Sequence, residues 1–152
     1  MDFYSSTYFE ITDSNFKNNE SAEANAIFTG INTDLTRNSL FSNTEFLNNL
    51  SEDGGLLFIY SLVSFETCTF TDNSYPNIHS PHMKVYHSAL SFADCTFEET
   101  QTYEEFIDGY GRFLHIDLKS YVEITNTEFT NGEALQGGAI YLNNCKYNIF
   151  LS

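Results

Sequence analysis

Val63-Ser64-Phe65-Glu66-Thr67-Cys68-Thr69-Phe70-Thr71-Asp72-Asn73 is the stretch that decides the fold. It returns in altered form four more times, and its closing phenylalanine becomes Phe16, Phe46, Phe70, Phe97 and Phe129. The intervals between these positions are 30, 24, 27 and 32 residues. Self-similarity at a period of this length is the mark of a solenoid, in which each repeat adds one structural unit to a stack.

With the phenylalanine as position zero, the five copies align. Position −5 is Ile11, Phe41, Phe65, Phe92 and Ile124, and position −7 is Phe9, Ser39, Val63, Leu90 and Val122. Polar residues stand between them, which is the alternation of a strand with one buried face. The step from −5 to −2 breaks that alternation by one residue. Beside the break, at −3, stand Asp13, Asn43, Thr67, Asp94 and Asn126. Asn and Asp tolerate left-handed backbone, so a tight bend is predicted there. Asn19, Asn49 and Asn73 at +3 mark a second corner.

After a loop of variable length comes a third strand, read as Ala26-Ile27-Phe28, Leu56-Leu57-Phe58, Lys84-Val85-Tyr86, Phe113-Leu114-His115 and Ala139-Ile140-Tyr141. Two copies introduce it with a glycine pair, Gly54-Gly55 and Gly137-Gly138, which suits a sharp corner with close backbone approach. Strands that recur in one direction at such short spacing stack in parallel. The fold class expected is all-β, a parallel β-helix of about five coils with three short strands each, over 1–152 as one segment. Tyr147 and Ile149 read as positions −7 and −5 of a sixth copy, so the segment is expected to belong to a longer chain.

Phe16-Lys17-Asn18-Asn19, Phe46-Leu47-Asn48-Asn49 and Phe70-Thr71-Asp72-Asn73 match Phe-x-x-Asn, and Gly137-Gly138-Ala139-Ile140 matches Gly-Gly-Ala-Ile/Leu/Val. This pair of motifs resembles the repeats of the chlamydial polymorphic membrane proteins, autotransporter adhesins with a β-helical passenger. It is also similar to pectin-lyase-like right-handed β-helix repeats of large surface proteins, including those of ciliates. The resemblance implies a right-handed helix and an extracellular or cell-surface setting. Two copies depart from it. Phe97-Glu98-Glu99-Thr100 lacks the asparagine, and the stretches before Val85 and Leu114 lack the glycine pair. The corners there must be built differently.

A formal charge of −15, with only six basic residues, argues against nucleic acid and anionic membranes. It fits solubility, cation binding or a basic partner. No apolar run approaches the roughly 18 residues of a membrane span, and the first residues lack the form of a signal peptide. Cys68 and Cys95 occupy one column of consecutive coils and are expected as free, buried thiols. Cys145 belongs to another column. Asn19 and Asn49 each head an Asn-x-Ser sequon and are candidate glycan acceptors.

Residues 94–133 carry ten carboxylates, and Glu98, Glu99, Glu104, Glu105 and Asp108 are the candidate Ca²⁺ ligands, against the alternative of a solvated acidic loop. His79, His82 and His87 lack companions at metal-site spacing. Phe28, Phe58, Tyr86, His115 and Tyr141 are expected to form an outward ladder of rings. Such a ladder can stack on sugar rings, meet a protein partner, or lie under neighbouring loops. These features point to a non-catalytic structural or adhesive segment that binds a protein or carbohydrate partner on a lateral face or stacks end to end with itself. No cofactor beyond Ca²⁺ is implied. The alternative is a β-helix polysaccharide lyase or glycoside hydrolase, which would gather Arg112, Lys119 and several carboxylates into one cleft.

Overall fold

Alternating short strands separated by left-handed bends cannot form hairpins, and their exposed edges must pair with the next copy. The computed structural model shows that arrangement, a parallel β-solenoid. It describes residues 2–4, 9–21, 27–30, 38–51, 54–73, 80–101, 109–145 and 149–151. Sheet A stacks Asp2–Tyr4, Ile27–Gly30, Leu56–Ile59, Met83–Tyr86, Leu114–Asp117 and Ile140–Asn143. Sheet B stacks Glu10–Thr12, Ser39–Ser42, Leu62–Glu66, Ala89–Ala93, Tyr121–Thr125 and Ile149–Leu151. Sheet C stacks Asn15–Lys17, Glu45–Leu47, Thr69–Thr71, Thr96–Glu98 and Glu128–Thr130. Three coils, at 54–73, 80–101 and 109–145, run unbroken through all three sheets, where the spacing predicts about five. The flanking coils are described in part.

The expected columns of sheets B and C are paired in register. Val63 faces Ser39 and Leu90, Phe65 faces Phe41 and Phe92, and Phe70 faces Phe46 and Phe97. Phe46, Phe70, Phe97 and Phe129 stack at centroid distances of 4.8, 4.4 and 5.0 Å. Rings of the neighbouring column meet them edge on, as Phe65 meets Phe70 at 5.4 Å and 73°. Fully burying one such ring contributes on the order of 2–3 kcal/mol, so these two columns carry much of the fold. The sixth copy is shifted from its expected frame. Ile149 pairs with Val122 and Leu151 with Ile124, so they take positions −7 and −5, and Tyr147 lies outside the described residues.

The corner between sheets B and C turns on a left-handed residue in every copy. Asp13, Asn43, Thr67, Asp94 and Asn126 have φ of 48, 47, 54, 53 and 47°, as the −3 bend predicts. Position −2 then closes the turn from inside. The hydroxyls of Ser14, Thr44 and Thr127 donate to the carbonyl two residues back, at 2.7, 3.0 and 3.0 Å. The thiols of Cys68 and Cys95 make the same contact with Glu66 O and Ala93 O, at 3.4 and 3.3 Å. Both thiols are free and buried, as is expected of them, and they serve as hydroxyl substitutes in a turn. Cys145 does so at the corner between sheets A and B, donating to Asn143 O.

Candidate functional site

The corner between sheets C and A is where the repeat changes chemistry. In the earlier coils it is an amide ladder. Asn49 and Asn73 are fully buried, and their Nδ2 groups donate to Phe16 O and Phe46 O at 2.9 and 2.8 Å. Asn73 Oδ1 accepts from both Asn49 N and Asn49 Nδ2. Gly55 makes this possible, because a Cβ there would lie 2.2 Å from Asn49 O and 2.4 Å from Asn73 O.

In the next coil His82 stands where Gly55 stood, since Leu56 pairs with Met83. The asparagine is replaced by Thr100, whose N and Oγ1 donate outward to Asp72. Glu99 does not share the left-handed backbone of Asn18, Asn48, Asp72 and Asn131 in its column, and its side chain fills the vacated interior. Arg112 Nε donates to Glu99 Oε2 at 2.6 Å, and His82 Nε2 lies 3.2 Å from the same oxygen. His82, Glu99 and Arg112 are 0, 1 and 8 % exposed.

Burial works to raise the Glu99 pKa, but hydrogen bonds from His82 and Arg112 outweigh it and hold the carboxyl at about 2. Burial pushes His82 below the ordinary imidazole value against the pull of Glu99. Arg112 is therefore the cation of the set, and His82 is neutral. A neutral His82 that donates from Nε2 leaves Nδ1 as a bare acceptor, and Nδ1 has no partner among the described residues. The cluster holds charge inside the core. Arg112 does not converge with Lys119, which is exposed at the corner between sheets A and B.

Other expectations change with this geometry. Glu98 is half-buried on the outer side of its strand while Glu99 points inward to Arg112, so the two do not share a Ca²⁺ site. Glu104, Glu105 and Asp108 lie outside the described residues, as does His79. Among the described residues no three His, Cys, Asp or Glu side chains are grouped to hold a metal. Asn49 cannot accept a glycan in the folded chain, because its amide is sealed in the ladder. Asn19 is exposed, and its Nδ2 donates to Asn49 Oδ1 at 2.6 Å.

The ring ladder is also re-registered. Phe28, Leu57, Lys84, His115 and Tyr141 pair in one column of sheet A, in which Lys84, His115 and Tyr141 face outward and Leu57 is described by its backbone alone. Phe58 sits one residue on, paired with Val85 in an inward column, and is fully buried against Phe65. Tyr86 faces outward, level with Asp117. Of Phe28 only the backbone is described.

What stands on the outer face of sheet A is a cluster completed by Tyr110, a ring absent from the expected ladder. Tyr110 lies 4.7 Å from Tyr141 at 39°, and His115 meets Tyr141 edge on at 5.1 Å. Tyr86 and Tyr110 each stand 6.4 Å from His115. Tyr110 is placed by a bridge to Gln136 and by Gly111, whose φ is 64° and whose Cβ would lie 2.3 Å from Leu114 O. Burial lowers the His115 pKa, with Lys84 acting in the same direction and Asp117 against it. His115 Nε2 is buried and has no hydrogen-bond partner among the described residues. Beside the rings, Asn143 Nδ2 donates to Asp117 Oδ2 at 3.1 Å.

Charge is distributed unevenly around the coil. Among the described residues, sheets B and C and their shared corner turn outward Glu10, Asp13, Glu45, Glu66, Asp94, Glu98, Glu123 and Glu128 against Lys17. Among the residues whose side chains are described, the outer side of sheet A and its corner with sheet B carry Lys84 and Lys119 against Asp117. The chain matches no protein-family model, no curated protein and no solved structure.

Proposed function

We propose that the chain is a non-catalytic structural or adhesive β-helix segment of a surface or extracellular protein or filament. Its coils form the support, and the side formed by sheet A and the corner between sheets A and B makes the lateral contacts. The corner carries this reading. Of fourteen non-glycine residues with positive φ among the described residues, nine are Asn or Asp, and four of the five exceptions are Tyr60, His87, Leu118 and Lys119 on this one corner. A bulky side chain in left-handed backbone costs about 1 kcal/mol or more relative to Asn or Gly. Much of both side chains stays in water, since Tyr60 and Leu118 are 47 % and 42 % exposed, and among the described residues Tyr60 stacks on the half-buried His87 at 4.8 Å. Side chains kept at a cost to the fold and held in solvent suit recognition.

The double variant Tyr60→Asn/Leu118→Asn tests this. Binding would be measured to arrays of immobilised glycans and extracellular-matrix proteins, alongside thermal unfolding. The expected outcome is a higher unfolding temperature with loss of binding. Equal binding by variant and wild type would remove the lateral face. Release of sugar ends from polygalacturonate by the wild type would remove the non-catalytic part.

A further inference from the structure

We infer that the ring cluster of Tyr110, His115 and Tyr141, with Lys84, Asp117 and Asn143 beside it, is a binding site for a neutral saccharide chain. The inference rests on the lateral-face reading above and names its ligand. A pyranose ring presents an apolar face of C–H bonds and a rim of hydroxyls, so it needs an open aromatic face with polar groups beside it. Tyr110 supplies the face. It is 45 % exposed, with its contacts on the side of Tyr141 at 4.7 Å and His115 at 6.4 Å. The rim is met by the Asn143–Asp117 pair, which offers amide and carboxylate groups 3.1 Å apart, and by Lys84, level with His115 in the register. Nε2 of His115, next to the rings, is buried and has no hydrogen-bond partner among the described residues. Unpartnered buried polar atoms are rare in folded proteins, so a small movement of the ring that opened this one would give a hydroxyl a partner.

Charge selects the class of sugar. A chain of −15 repels a polyanionic glycan at long range, and a cationic ligand would be drawn to the carboxylates of sheets B and C. Among the residues whose side chains are described, the A side carries two cations and one carboxylate, so a neutral chain can settle beside them without desolvating a row of anions. The rungs of sheet A repeat at ~4.8 Å along the solenoid axis, close to the length of one sugar in an extended glycan. A saccharide lying parallel to the axis therefore meets one rung per residue.

The experiment titrates the chain with chitotriose, cellotriose, mannotriose and trigalacturonate. Tyrosine fluorescence is the readout, clean because the chain has no tryptophan. At least one neutral trisaccharide binds. Tyr110→Ala weakens it about tenfold, the scale of one lost ring contact, while Tyr110→Phe stays within about threefold. Thr69→Val on sheet C leaves binding unchanged, and circular dichroism checks that each variant is folded. No binding of any neutral trisaccharide, binding of trigalacturonate alone, or an unchanged affinity in Tyr110→Ala overturns the inference. If neutral sugars fail but Tyr60→Asn/Leu118→Asn still loses binding to a matrix protein, the lateral face stands and the saccharide falls. If both fail, both readings fall.

Discussion

The corner between sheets C and A is built twice, in two chemistries. At Asn49 and Asn73 a neutral amide donates to a carbonyl of the preceding coil and accepts from its neighbour, with glycine making room. One coil further on, His82 fills the glycine's place and Glu99 pairs inward with Arg112. The difference shows what a solenoid can repeat. An amide ladder extends by any number of rungs, because each rung is both donor and acceptor. A buried carboxylate cannot be stacked on another without repulsion, so among the described residues the charged corner occurs once, with its cation from the next coil.

Removing one member of the charged corner is expected to break it most severely. Glu99→Ala removes the buried carboxylate that Arg112 and His82 both meet and should cost about 3–5 kcal/mol in urea unfolding, with Glu99→Gln milder because it retains an acceptor. A loss below about 1 kcal/mol would show that Arg112 finds water instead. The amide corner should yield less. Asn73→Ala strands Asn49 N and Phe46 O, at about 1–3 kcal/mol, measurable in the same titration.

A third measurement separates the two corners by pH. His82 has a folded pKa below 6.5, and Glu99 sits at about 2 against an ordinary 4.5. Each contributes stability that is complete above its unfolded value and is lost as pH falls toward its folded value. Stability should therefore decline on acidification, first below about 6.5 and again between about 4.5 and 2, by at most about 1.4 kcal/mol per pH unit for each group. Asp72, raised chiefly by burial, recovers stability as pH falls and blunts the second decline. Glu99→Gln should flatten that second decline, whereas Asn73→Ala should keep both. Identical acid limbs in the two variants would mean that Glu99 is not ionised in the fold.

Much of the scaffold was legible because its code is local. The alternation before Phe70 and the Asp/Asn at −3 lie within a few residues of each other, and they mark the strands and bends of sheets B and C. Sheet A was harder. Leu56-Leu57-Phe58-Ile59 is apolar at every position, so its phase cannot be read, and Phe58 was placed outside when it belongs in the core. The buried cluster was beyond local reading altogether, since Glu99 lies 17 residues from His82 and 13 from Arg112. Its signal was negative: an asparagine missing at Thr100 and glycines missing before Val85 and Leu114. A carboxylate count over 94–133 favours calcium because it carries no information about which way Glu99 points. Tyr110 belongs to a connecting segment outside the repeat frame, so the period carries no mark of it.

The phenylalanine columns cannot tell one coil from the next. Slide the chain by a whole repeat, and Phe46 would take the seat of Phe70 with its stacking intact. Glu99 has no such freedom, because its only described cation and imidazole are Arg112 and His82. A slipped stack would bury a bare anion in the seat of Asp72 or Asn131. The one corner that does not repeat thus acts as an index mark on an otherwise periodic rod, counting the coils into place.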